Sequence, residues 1–95
     1  MGVACAGPWL HPGLADRGWT DLQAGRAIVK ALLIQFDSML EGFAAVSANN
    51  FVHVKTQGTL ADAQWANELH PKPDGFAAVT AKFVLALRQR FPNRI

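Results

Sequence analysis

The sequence predicts an α/β fragment, mostly helical, in which two long amphipathic helices flank one short strand. Three observations carry this. Apolar residues recur at Ile28, Leu32, Phe36, Met39, Leu40, Phe43 and Val46, the spacing of one helical face. Phe51-Val52-His53-Val54 is short, β-branched or aromatic, and bounded by turn formers, as strands are. Beyond Pro73 the helical spacing returns at Phe76, Val79, Phe83 and Leu87, with Val84 and Phe91 beside it.

Taken in order, residues 1–19 read as an irregular arm, because Gly2, Gly7, Pro8, Pro12, Gly13 and Gly18 interrupt any regular pattern. There is room for one helical turn around residues 14–17. Trp9, Leu10 and Leu14 make the arm apolar enough to pack against something. The first helix is expected over 20–48. Thr20 is a suitable N-cap, Asp21 suits the positive end of the helix dipole, and Gln23 completes a Thr-x-x-Gln capping box. Gly25 and Gly42 weaken this helix, and Asn49-Asn50 ends it. The strand, 51–54, leads into a polar loop, 55–72, with Gly58 early in it and His70 near its end. The second helix is expected over 73–91, with Pro73 and Asp74 in its first turn and Pro92 just past its end. Residues 1–95 make a single unit in this reading. Helix, strand, loop, helix is the order of a crossover unit, not of a closed domain.

Bulk properties narrow the function classes. With 51% hydrophobic and 17% charged residues among 95, the chain is too apolar for intrinsic disorder. A chain this short buries only roughly 60–65% of its extended surface on folding. That supports a few packed elements, but no broad parallel sheet covered on both faces. The net charge of +2 is small, and the basic residues cluster only at Arg88, Arg90 and Arg94, where cations complement a helix dipole. No nucleic-acid partner is expected. The single cysteine, Cys5, excludes an intrachain disulfide. No apolar run approaches the ~20 residues that span a bilayer, so no membrane partner is expected. The N-terminus lacks a signal peptide's pattern, and Ala6 stands where a myristoylation signal wants Ser or Thr. As written, the chain is expected to be cytoplasmic.

One stretch carries chemistry: Trp65-Ala66-Asn67-Glu68-Leu69-His70-Pro71-Lys72-Pro73-Asp74-Gly75-Phe76. It puts a histidine in a loop after a strand and before a helix, the kind of place where α/β enzymes assemble sites. Pro71 and Pro73 stiffen the backbone beside His70. A fixed imidazole with a neighbouring carboxylate, Glu68, suits a general base. A capping or surface histidine is the bland reading of the same residue.

The pattern Trp-x-Asn-Glu-Leu-His-Pro-x-x-x-Gly-Phe, followed by an amphipathic helix, resembles the final block of a bacterial group of SGNH/GDSL hydrolases. Gly7-Pro8-Trp9-Leu10, the helix with Phe36, Met39 and Leu40, Val52-x-Val54 and Gly58-Thr59-Leu60 are similar to the block's upstream sequence. The resemblance runs from about Gly7 to Phe91 and is specific around His70. It implies the last crossover of a three-layer α/β/α serine esterase that hydrolyses ester or acetyl groups. His70 would be its catalytic histidine. In this family an early Gly-Asp-Ser turn supplies the nucleophile, and a late Asp-x-x-His motif supplies acid and base. The aspartate's position is occupied here by Asn67, which accepts a hydrogen bond from the ring but cannot neutralise imidazolium. In serine proteases this exchange costs on the order of ten-thousand-fold in rate. Whether Glu68 or another group supplies the acid stays open.

The nucleophile turn and the mid-chain glycine and asparagine of the oxyanion hole have no counterpart, so the chain reads as catalytically incomplete. An ester substrate is implied only if a nucleophile-bearing part completes it, and no cofactor is implied. Leu32-Leu33-Ile34-Gln35-Phe36-Asp37-Ser38-Met39-Leu40 imitates a nucleophile strand and turn, but Phe36 stands where glycine is wanted and the spacing is helical. His11 and His53 share no metal-ligand spacing with His70. His53 is expected to face the opposite side of the strand from Val52 and Val54. Asp37 and Glu41, four apart, read as a solvated helix face, and Trp9, Trp19 and Trp65 as packing residues. Two rivals remain. One is an interaction module that self-associates through exposed helix faces; the other is a minimal esterase using Ser38 or Ser47.

Overall fold

A computed structural model describes residues 7–94. Cys5, the Met-Gly start and the beginning of the expected 1–19 arm lie outside the described residues. The arm is more regular than its glycines and prolines suggested. After the turn at Gly7, a short helix α1 forms over His11–Asp16 with Pro12 in its first turn, where a missing N–H costs nothing.

The first long helix, α2, covers Leu22–Ala45. Its cap falls one residue later than the Thr-x-x-Gln pattern suggested. Asp21 has extended backbone, and its carboxylate accepts from the Ala24 amide at 3.0 Å. The helix yields to a 3-10 turn at Ser47–Asn49, and Asn50 closes it in the left-handed region at φ 48°. The second long helix, α3, covers Pro73–Arg90, close to expectation. Pro73 starts it, Asp74 lies in its first turn, and Arg88 and Arg90 lie in its last. A 3-10 turn at Asp62–Gln64 packs against α3, and α1 packs against α2.

The α/β reading is corrected here: among the described residues there is no strand and no sheet. Alternate residues of the segment nonetheless share a direction. Phe51 meets Phe43 edge-on at 5.2 Å. His53 and Lys55 both reach Asp37, at 2.8 and 3.3 Å. Residues 51, 53 and 55 thus point to α2, as a two-residue period requires. What fails is the ladder. Among the described residues, the backbone N–H and C=O groups of residues 51–54 bond to no other backbone. A strand is defined by a neighbouring strand, and the segment's neighbours are helices.

On one side of the segment lies α2. On the other, Lys82 of α3 donates to the Lys55 carbonyl and Arg90 donates to Asn50 Oδ1. No Cα of α2 comes within 8 Å of a Cα of α3. The result is a single layer of helix, extended chain and helix, measuring 51 × 31 × 15 Å. No core is closed on both sides. Among the described residues those buried are Gly7, Gly25, Asp37, Glu68 and Gly75, so the buried side chains there are two carboxylates.

Candidate functional site

His70 sits at the end of a small closed loop. Trp65 and Pro71 form an isolated antiparallel bridge. The Ala66 amide donates to the His70 carbonyl at 2.8 Å, and the Lys72 amide to the Gln64 carbonyl at 2.7 Å. The loop is held from below by Gly75. A Cβ there would stand 2.8 Å from the Gln64 carbonyl oxygen and 2.9 Å from Pro71 Cβ, too close for any side chain. The glycine of the sequence motif therefore allows α3 to start directly beneath the histidine loop.

Asn67 organises the loop's interior. Its Oδ1 accepts from the Leu69 amide, the His70 amide and His70 Nδ1, each at 2.9 Å. The two amides fix that atom as the acceptor oxygen, so Nδ1 must carry the proton. In the neutral ring Nε2 then carries the lone pair, and the residue is solvent-exposed. This is the tautomer a general base needs. Trp9 packs edge-on against the imidazole, with centroids 5.6 Å apart and planes at 64°.

Glu68 does something the sequence did not suggest. It is 1% exposed and turned away from solvent. Its two oxygens accept from the Trp9 and Leu10 amides at 2.7 and 3.2 Å. Both are thereby committed to the turn that precedes α1. A charge-assisted clamp of this kind pins the arm to the loop and sets Trp9 against His70. The structure therefore brings Asn67 to the ring and directs Glu68 to the backbone that carries Trp9.

A second polar cluster was missed. Asp37, expected on a solvated face, is 6% exposed and lies between His53 and Lys55. The hydrogen bond from His53 is the main cause holding its carboxyl below the ordinary range, with Lys55 assisting against the cost of burial. Asp37 in turn raises Lys55, and Glu41, 3.5 Å from the same ammonium, adds to this. The cluster ties the extended segment to α2. The available signal was the period-2 placement of His53 and Lys55, which puts both on one side.

Ser38 lies within α2, as the helical spacing required, and Ser47 opens the 3-10 turn after it. An open cleft of about 660 Å³ runs between α2 and the loop around Gly58, with Arg26, Lys30, Leu33, Leu60, Trp65 and Val79 among its lining. His70 is not part of that lining. Among the described residues no helix is long and apolar enough to cross a membrane. Compared with protein-family models, curated proteins and solved structures, the chain matches none.

Proposed function

We propose that this chain is the histidine-bearing C-terminal portion of an SGNH/GDSL-like serine esterase of bacterial type, incomplete by itself. The observation that carries the proposal is the Nδ1–Asn67 bond, which in the neutral ring leaves Nε2 as the nitrogen that can accept a proton. Once a nucleophile-bearing segment is supplied, Nε2 takes the serine proton as Oγ attacks an ester or acetyl carbonyl. It later returns that proton to the leaving alkoxide. Asn67 orients the ring without neutralising it, and Glu68 acts through Trp9 as a positioning residue. The proposal rests on the histidine loop and needs no sheet within this chain. A cytoplasmic location, an ester substrate only once the chain is completed by a nucleophile-bearing part, and no nucleic-acid or membrane partner belong to it.

The test is complementation. The chain is mixed with an SGNH segment bearing the Gly-Asp-Ser turn and treated with a fluorophosphonate probe. We expect no labelling of the chain alone, labelling of the mixed segment's serine, and loss of that labelling with His70→Ala. Labelling of this chain at Ser38 or Ser47, or complementation indifferent to His70→Ala, would overturn the proposal.

A second reading, a self-associating interaction module, is favoured by a separate observation. Phe36 and Met39 on α2 are 54% and 57% exposed, and Phe83 and Leu87 on α3 are 47% and 43% exposed.

A further inference from the structure

The cleft between α2 and the loop around Gly58 has neither His70 nor Asp37 in its lining, and at about 660 Å³ it has the size of a small-molecule site. One of its walls is a single face of α2, because Gln23, Arg26, Ala27, Lys30, Leu33 and Ile34 fall at helical spacing. That face changes character along the helix. Arg26 and Lys30 are one turn apart, and Leu33 and Ile34 follow one turn later. The wall is therefore basic up to Lys30 and apolar beyond it. The other elements contribute Leu60, Trp65, Pro71 and Val79, with Asp62 the one carboxylate in the lining among the described residues. Two contacts shape the cleft. Gln57 Nε2 donates to the Leu33 carbonyl at 2.6 Å, which ties the loop to α2 beside the apolar end. Leu60 is packed close to Gly75, where a Cβ would stand 3.2 Å from Leu60 Cδ1.

We propose that this cleft binds a fatty carboxylate, with its head group on Lys30 and its chain running past Leu33 and Ile34 between α2 and Trp65. Charge selects this occupant. Lys30 is exposed and has no ion pair or hydrogen bond among the described residues. Arg26, one turn away, adds to the positive potential at the same end. A cationic amphipath would meet two like charges there, and an uncharged one would leave the ammonium without a counter-charge. The apolar end suits a chain and not a second polar group. A chain lying there would cover Ile34, which is 52% exposed, and the half-buried indole of Trp65. Because His70 lies outside the lining, the inference does not depend on the esterase proposal and stands or falls separately.

The test uses the whole chain with Trp9→Phe and Trp19→Phe, so that Trp65 is the one remaining indole. Decanoate, kept below its micellar concentration, is titrated against Trp65 fluorescence, and amide chemical shifts of the unsubstituted chain locate it. We expect a saturable blue shift, with amide changes centred on Lys30, Leu33, Gly58, Leu60 and Val79. Decanol and decyltrimethylammonium should each bind several-fold more weakly. Lys30→Glu should weaken decanoate by about fivefold, and Asp62→Asn should strengthen it by about twofold, both with helicity unchanged. Should Lys30→Glu lose helicity, Asp62→Asn and the comparison with decanol decide. Absence of saturable binding overturns the proposal. So does decanol binding as tightly as decanoate, an affinity indifferent to a folded Lys30→Glu, or amide changes centred on Phe83 and Leu87.

Discussion

Asn67 and Glu68 are adjacent in sequence, yet they do different work. Asn67 Oδ1 gathers three donors, two of them backbone, and one of its bonds sets the His70 tautomer. Asn67→Ala should cost about 1 kcal/mol by chemical denaturation. It should also release the ring, so that ¹⁵N imidazole shifts move from a single Nδ1–H tautomer towards a mixture. Unchanged ring shifts would show that Asn67 does not set the tautomer. Glu68 carries a buried charge satisfied by two backbone amides. Glu68→Gln keeps the shape but loses the charge assistance, at about 2 kcal/mol. We expect Trp9 fluorescence to shift as the indole leaves His70, while the spectrum of a Trp9→Phe control stays insensitive to the same change.

At the scale of elements, α2 and the extended segment are joined by charge. Asp37 titrates below its ordinary value of 3.8, with His53 as the first cause. A depressed carboxyl stabilises the folded state above pH 3.8, and that contribution is lost as pH falls through the lower folded value. Lys55 is raised above 10.5 by Asp37, so its contribution is present below pH 10.5 and lost as pH rises past the folded value. The thermal midpoint should therefore fall at both ends of the pH scale, and Asp37→Asn should flatten both limbs. The elements' ends are separate sites. Asp21→Ala should lower helicity and cost about 1 kcal/mol by removing the α2 cap. Gly75→Ala should cost about 1–3 kcal/mol, since the Gln64 carbonyl and Pro71 must move away. It should disturb the histidine loop more than α3 itself, read as larger chemical-shift changes around His70 than beyond Val79.

At the scale of the molecule, the radius of gyration is 16.1 Å, where a compact chain of this length has ~12.4 Å. A layer 15 Å thick cannot bury side chains on both faces, and Ile34, Phe36, Phe76 and Leu85 are more than half exposed. At concentrations where the chain is monomeric, we expect a broad thermal transition and strong binding of a hydrophobic dye. Both should diminish as concentration rises. A sharp, concentration-independent transition would show that the layer is stable as it stands.

The sequence by itself determined whatever depends on local chemistry. The two long helices follow from apolar spacing, the start of α3 from Pro73, and the position of Ser38 inside a helix from the same periodicity. The placing of His70 in a stiffened loop just before α3 follows from Pro71 and Pro73, whose rings restrict the backbone locally. The direction of His53 was also legible, because a two-residue period needs no partner, whereas Lys55 read as part of the loop. Only the tertiary structure decided that this segment has no strand beside it, that Asp37 is enclosed, and that Glu68 reaches back across the chain to Trp9. Each of these depends on what lies next to a residue in space. A strand is a relation between two segments, and the burial of a carboxylate depends on what covers it.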